Sequence, residues 1–398
     1  MPFATAPLHL AVALADSGWH PAARREQAAD AEQPTRAGFW LAQLRTAERG
    51  LLDIVTFEDP LAPRPGGDRL DRVRVRLDPL LLAARMAPAT AGIGLLPTAT
   101  TSFTEPFHVS TAVATLDVVS GGRAGWLARV SAHADEAIEA GRGELSTWSE
   151  QELFDDAADH VEVVRRLWDS WEDGAEIRDV AGGRFIDRER IHHIDFVRGR
   201  LSVRGPSITP RPPQGQPPIA ALARTPEALR FAGAAADVVL AAPQDPQQLP
   251  ALRAVVADAQ AQAGRSGATL HLFVDLAVVL DADERRARER LARLDARDGA
   301  TWAPGVPLFA GTPARLADEL LAWRAAGATG VRLLPAALPR DLDAIADGLV
   351  PELQAREAFR RMYEATTLRG LLGLPRPANR YSARLSTASQ AAAGPPSR

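Results

Sequence analysis

The residues of this chain best suited to chemistry stand just after its short apolar runs. Asp16-Ser17-Gly18-Trp19-His20 follows the first run, and His20, in a polar loop beside Trp19, is the leading candidate for proton transfer. A solvated loop histidine is the plainer alternative. Glu58-Asp59-Pro60 follows the second run. Asp59 can accept a hydrogen bond from a ring N–H or a polyol hydroxyl, or it can cap a turn. Thr98-Ala99-Thr100-Thr101-Ser102 follows the third and offers hydroxyls to a polar cofactor edge, unless it merely leads a strand into a polar loop. Ser131-Ala132-His133 follows the fourth, with His133 the second histidine candidate. Arg224-Thr225-Pro226-Glu227 follows the fifth and opens a helix. A guanidinium and a hydroxyl beside free backbone N–H groups make a good anion site, which would suit a phosphorylated cofactor. The competing reading is an ordinary threonine cap with a surface arginine.

Other chemistries are excluded or unsupported. The chain has no cysteine, which removes thiolate metal sites, thiol nucleophiles and disulfides. It has no lysine either, so a Walker-type phosphate loop and Schiff-base chemistry are ruled out. The eight histidines form no metal signature: there is no HExxH, and adjacent His192 and His193 would point to opposite faces of a strand. Gly92-Ile93-Gly94 and Gly121-Gly122-Arg123-Ala124-Gly125 have the wrong spacing for a dinucleotide fingerprint. Trp168 and Trp171, three apart on one helix face, read as core packing. A net charge of −4 argues against a nucleic-acid partner. No apolar run reaches the length of a membrane span, and the N-terminus lacks the pattern of a secretory signal. A soluble cytoplasmic protein is the expectation.

The elements that would position these residues are legible as alternating short apolar runs and period-3.6 segments, the pattern of βα units. Strands are expected at 8–15, 53–58, 91–98, 124–130, 218–223, 237–241, 270–279 and 331–334. Eight strands are what a closed (β/α)8 TIM barrel needs, and such a barrel carries its active site at the C-terminal strand ends. Helices are expected at 38–49, 77–86, 154–171, 250–263 and 313–326, with a further helix ending at Val118-Val119. Thr312-Pro313 marks one helix start, and Gly50 and Gly327 mark two ends. Residues 1–385 are expected to form one domain. Within it, 173–217, rich in charge, glycine and proline, reads as an insertion over the barrel mouth, and 298–309 is a second excursion. Ser386–Arg398 reads as a disordered tail.

One longer segment carries a resemblance. Glu105–Ser131 reads EPFHVSTAVATLDVVSGGRAGWLARVS, and the chain also contains AERGLLDIVTFEDP at Ala47–Pro60, DHVEVVRRLWDSWEDGA at Asp159–Ala175 and VRGPSITPRPPQGQPPI at Val203–Ile219. GTPARLADELLAWRAAGATGVRLL at Gly311–Leu334 and TLRGLLGLPRPANRY at Thr367–Tyr381 complete the set. Together these strings resemble the bacterial luciferase-like flavin-dependent monooxygenases, in the nitrilotriacetate and dibenzothiophene-sulfone monooxygenase branch, over nearly the whole chain.

That resemblance implies an FMN-dependent monooxygenase. Reduced FMN would come from a separate NAD(P)H:flavin reductase, O2 would add to give a flavin C4a-hydroperoxide, and a small organic substrate would be oxygenated. It also implies a homo-oligomer, dimer or tetramer. By the same resemblance Asp59 would contact the flavin, and Thr98 and Thr100 would line its ring. Trp126 and Ser131 would face the cofactor, and Phe154 would stand where the family has a tyrosine near the phosphate. Arg224 and Thr225 would replace the family's Ser-Ser phosphate pair, and Trp19 and His20 would lie beside the reactive face. The chain departs from the pattern at Leu127 for asparagine, Val130 for threonine, Leu153-Phe154 for Arg-Tyr, and Ala221–Thr225 for Gln-Ala-Gly-Ser-Ser. The alternatives are an oxidoreductase that uses a deazaflavin (F420) instead, and a non-catalytic barrel or partner subunit with a degraded flavin site.

Overall fold

The computed structural model describes residues 8–27, 34–58, 76–131 and 133–382. In it eight parallel strands close on themselves. They are β1 His9–Leu14, β2 Ile54–Phe57, β3 Gly94–Thr100, β4 Trp126–Arg129, β5 Ile219–Ala223, β6 Val238–Ala241, β7 His271–Leu280 and β8 Gly330–Pro335. Each pairs with its neighbours in chain order, and β1 meets β8 with Leu10 opposite Val331 and Val12 opposite Leu333. This is the TIM barrel that the eight apolar runs led us to expect. The third strand runs Gly94–Thr100 rather than 91–98, because Ala91, Gly92 and Ile93 lend their amides to the Glu48 carboxylate.

Helices cover the outside: α1 Ala37–Arg49, α2 Pro79–Met86, α3 Pro106–Val119, α4 Glu150–Asp169, α5 Pro226–Ala235, α6 Leu249–Gln262, α7 Glu284–Asp298 and α8 Pro313–Ala325. The start of α4 is four residues earlier than the apolar period suggested. Ser149 and Glu152 form a reciprocal capping box there, and that polar signal precedes the apolar face. Thr312 caps α8 and Thr225 caps α5, each followed by proline. After β8 the chain continues as a helical run over 340–355 with a π turn at Ile345–Leu349.

Strand alternation sorts the core into two shells. Leu10, Val12, Leu14, Val55, Leu95, Val331 and Leu333 point outward, into the layer beneath α1, α2 and α8. Ala11, Ile54, Leu96, Leu127, Ala220, Val238, Leu240 and Phe273 form one cluster drawn from strands all around the ring, so they fill the barrel interior. Leu368, Leu372 and Leu374 of the C-terminal segment join that cluster and close the barrel's lower end.

Between α4 and β5 the insertion forms two small hairpins, Glu176–Asp179 with Arg184–Ile186 and Phe196–Arg198 with Leu201–Val203. Arg200 in the second hairpin pairs with Asp156 of α4 at 2.7 Å and reaches the carbonyls of Thr101 and Ser102 at the end of β3. The 298–309 excursion leads into a strand, Leu308–Gly311, paired with the upper end of β7. The expected tail, Ser386–Arg398, lies outside the described residues. No helix among the described residues is long and apolar enough to cross a membrane.

Candidate active site

The upper interior is where the apolar filling gives way to polar groups. Asp275, two residues above Phe273 on β7, is fully buried, and so is Arg332, two above Gly330 on β8. Arg332 grips the Asp275 carboxylate with two parallel bonds, Nε to Oδ1 at 2.8 Å and Nη2 to Oδ2 at 2.7 Å. Its remaining Nη1 donates to Thr56 Oγ1 at 3.2 Å and Glu58 Oε1 at 3.3 Å. Burial works against the charge on Arg332, but Asp275 and Glu58 outweigh it and hold the guanidinium pKa above its ordinary value. Above this pair Arg224 extends from the end of β5, with Nη2 at 3.4 Å from Asp275 Oδ2 and its side chain 39% exposed.

Across the mouth, β3 contributes Thr98 and Thr100. Both are buried, on the interior side that Leu96 shares. Thr100 Oγ1 lies 3.4 Å from Arg129 Nη1, while Thr98 Oγ1 is buried with no hydrogen-bond partner among the described residues. Buried hydroxyls are rarely left so, and each one calls for an explanation. Trp19 packs over the rim against Ala13, Ala277, Val279, Leu334 and Ala336, with its indole N–H donated to the Ala13 carbonyl at 2.8 Å.

One sequence expectation is corrected, and the other expected residues are placed as follows. Trp126 does not face the interior. Its neighbour Leu127 does, and alternation sends the indole outward into the layer under α3 and α4, where it donates to the Ala99 carbonyl and lies 5.6 Å from the His160 ring. Burial and the charge of Arg200 hold that imidazole unprotonated, with its pKa lowered to about 3. His20 is buried with both ring nitrogens engaged: Nδ1 accepts from the Ala22 amide and Nε2 lies 3.0 Å from Asp295 Oδ1. It therefore fastens the β1 loop to α7 rather than offering a lone pair to a substrate. Ser131 turns to Glu136, donating at 2.5 Å, and the same carboxylate pairs with Arg129 at 2.8 Å. Phe154 packs on Phe231 of α5, 5.6 Å between ring centres. Thr225 caps α5 and donates to Glu150 at 2.5 Å, so Arg224 and Thr225 serve different partners. Asp59 lies outside the described residues.

Sequence reasoning missed Asp275 and Arg332. The signal was present as a lone acid inside the apolar run LHLFVDLAVVL and a lone arginine inside VRLLP. A charge at an inward position of a barrel strand must be paired. Arg129 was missed as well, as an arginine two residues beyond the inward Leu127. No group of three or more histidine, aspartate or glutamate side chains among the described residues is arranged to hold a metal ion.

A parallel barrel with its polar groups gathered at the C-terminal strand ends defines the class of protein, and the comparisons narrow it. The model of the luciferase-like monooxygenases matches residues 14–330, and this chain belongs to that family. It is 31% identical to the N-acetyl-S-(2-succino)cysteine monooxygenase of Bacillus subtilis (strain 168), covering 94% of this chain and 98% of that protein. It is also 31% identical to nitrilotriacetate monooxygenase component A of Aminobacter aminovorans, over 91% and 95% of the two chains. Among solved structures, the EDTA monooxygenase of Chelativorans sp. BNC1 superposes with a TM-score of 0.80 at 24% identity, over 93% of this chain and 99% of that one.

Proposed function

We propose that this protein is a monooxygenase that binds reduced FMN at the barrel mouth. A separate NAD(P)H:flavin reductase supplies the FMN, and the enzyme uses it with O2 to oxygenate a small organic substrate. The observation that carries this reading is the buried Thr98 hydroxyl on the interior wall, without a partner among the described residues, with Arg224 across the mouth and bonded there, among the same residues, by a long contact to Asp275. A flavin mononucleotide has a polar ring edge for the first and a phosphate for the second, so the residues present fit it. Family membership and relatives named as monooxygenases support the same reading.

When bound, the reduced flavin supplies the electrons with which dioxygen is activated. The protein's own residues bind, orient and shelter. Thr98 would give its hydroxyl to the ring edge. Arg224 would exchange its long bond to Asp275 for charge-assisted bonds to the phosphate, which are the stronger kind. Asp275 loses little by this, because Arg332 already holds both its oxygens. That fixed pair keeps the mouth's charge balanced while Arg224 moves. Leu127 and Leu240 fill the interior beneath the mouth and Trp19 covers its rim, apolar surface that would keep water from the reacting centre.

The test is an anaerobic titration of the purified protein with reduced FMN, followed by tryptophan fluorescence, beside the same titration with F420. Saturable FMN binding is expected, weaker by about 1–3 kcal/mol in Arg224→Ala. Preference for F420 would replace FMN with the deazaflavin, and no saturable binding of either cofactor would sink the reading.

A further inference from the structure

Outside the barrel mouth, a cavity of about 630 Å3 opens between α1, α7 and the loop that follows β8. Its size falls in the range of small-molecule sites. The apolar part of its wall is Phe39, Ala42, Leu338 and Pro339. Four arginines surround it: Arg25, Arg293, Arg297 and Arg340.

The placement of these arginines follows from α7. Arg290, Arg293 and Arg297 stand at i, i+3 and i+7, on one face of the helix. The innermost, Arg290, is fully buried and neutralised. It holds Asp341 with bonds of 2.6 and 2.9 Å and Glu26 with bonds of 2.8 and 3.2 Å. Glu26 is the one lining carboxylate among the described residues, and this bond commits it. Arg340 pairs with Asp281 at 2.6 Å. Arg293 and Arg297 have no carboxylate partner among the described residues. Arg297 instead donates to the backbone carbonyl of Arg25 at 3.0 Å, and Arg25 donates back to the carbonyl of Arg297. Arg293 and Arg297 thus stand at an apolar-floored cavity with no carboxylate partner among the described residues, which raises the local potential for an anion.

We propose that this cavity binds an amphipathic organic anion, a carboxylate or phosphate on an apolar body, at a site separate from the barrel mouth. Arg293 and Arg297 take the anionic end, and the Phe39, Leu338 and Pro339 wall takes the body. The site adjoins the loop that carries Trp19. Gln27 in its lining donates to the Leu338 carbonyl at 2.9 Å and accepts from Ser17 at 3.3 Å. Asp295, between the two arginines on α7, holds His20.

The probes are 2-naphthoate and phenyl phosphate, titrated calorimetrically into the full chain saturated with FMN, with neutral 2-naphthamide as the control. Both anions are expected to bind at one site, and 2-naphthamide far more weakly. The R293A/R297A double variant changes exposed side chains only, and should weaken anion binding at least tenfold, about 1.4 kcal/mol, with FMN affinity unchanged. Ala42→Trp, which fills the cavity from an exposed position on α1, should abolish it. The proposal is overturned if neither anion binds, if 2-naphthamide binds equally well, or if neither variant weakens binding. FMN affinity is read separately in every arm, so failure here and failure of the mouth as a flavin site are told apart.

Discussion

Two buried aspartates, one at each end of the barrel, are held by arginine in opposite ways. At the lower end Asp53 takes the Leu10 amide at 2.8 Å, His9 Nδ1 at 2.8 Å and Arg360 Nη2 at 2.6 Å. Arg360 is itself buried, with its guanidinium carbon 5.7 and 5.9 Å from the ring centres of Phe359 and Tyr363. At the upper end Asp275 is held as tightly by Arg332, but its further partner, Arg224, is partly exposed and long. The lower cluster is buried throughout. The upper one has a fixed half and an exchangeable half. The same chemistry therefore serves stability below and leaves a cation free to change partners above.

The largest test of that contrast removes a buried cation from each end. Arg360→Ala leaves Asp53 uncompensated and should lower the unfolding free energy by about 3–5 kcal/mol in urea denaturation. FMN affinity of the molecules that remain folded should be unchanged. Arg332→Ala should cost a similar amount and weaken FMN binding as well. If Arg332→Ala binds FMN like the wild type, the two ends do not differ in function.

Acid tests the buried histidines. His271, beside His9 at the lower end, has its pKa lowered to about 4 by burial and by His9, and that of His160 falls to about 3. Both stay neutral in the fold but take up a proton near pH 6.5 once unfolded. Their folded pKa values are depressed, so this stability is fully present above about pH 6.5 and drains away as pH falls toward 4 and 3. At pH 5 each should cost about 2 kcal/mol relative to pH 7.5, read from urea midpoints at the two pH values. His160→Gln should flatten the slope, and an unchanged slope would mean that the ring is not shielded.

Arg224→Ala should weaken FMN binding as stated above while moving stability by less than about 0.5 kcal/mol, because its contact to Asp275 is long and its own side chain is partly exposed. A stability loss of several kcal/mol would put Arg224 with the buried cluster. The smallest effect is expected for His20→Gln. It loses one or two loop bonds, worth about 1 kcal/mol of stability, with turnover of the folded enzyme preserved. Collapse of turnover at unchanged stability would return His20 to the chemistry.

Much of this was legible in the chain. The eight apolar runs became the eight strands, because a barrel strand buried on both faces must be apolar along its length. Thr225-Pro226 and Thr312-Pro313 became helix starts, since a capping hydroxyl and a proline act within one turn. What stayed hidden is set by partners far apart in sequence. Asp275 and Arg332 meet only when β7 pairs with β8. Thr225 looked like half of an anion site until Glu150, from a different helix, took its hydroxyl. Trp126, placed at the cofactor by the resemblance, lies on the outer face because the register of its strand turns Leu127 inward, and a difference of one residue exchanges the faces.

The closing of the barrel's lower end has a consequence for how the chain is made. Leu368, Leu372 and Leu374 stop the interior from below, and the Leu372 carbonyl accepts from His271 at 2.8 Å. Strand β1 finds its β8 partner only after some 320 further residues (His9 opposite Gly330) have been synthesised. The stopper comes later still. Until then the growing chain is an open arc with an uncapped edge, the condition in which parallel sheets are slow to complete and prone to stray pairing. A nascent chain halted before Leu368 should therefore need a chaperone far more than its finished form does.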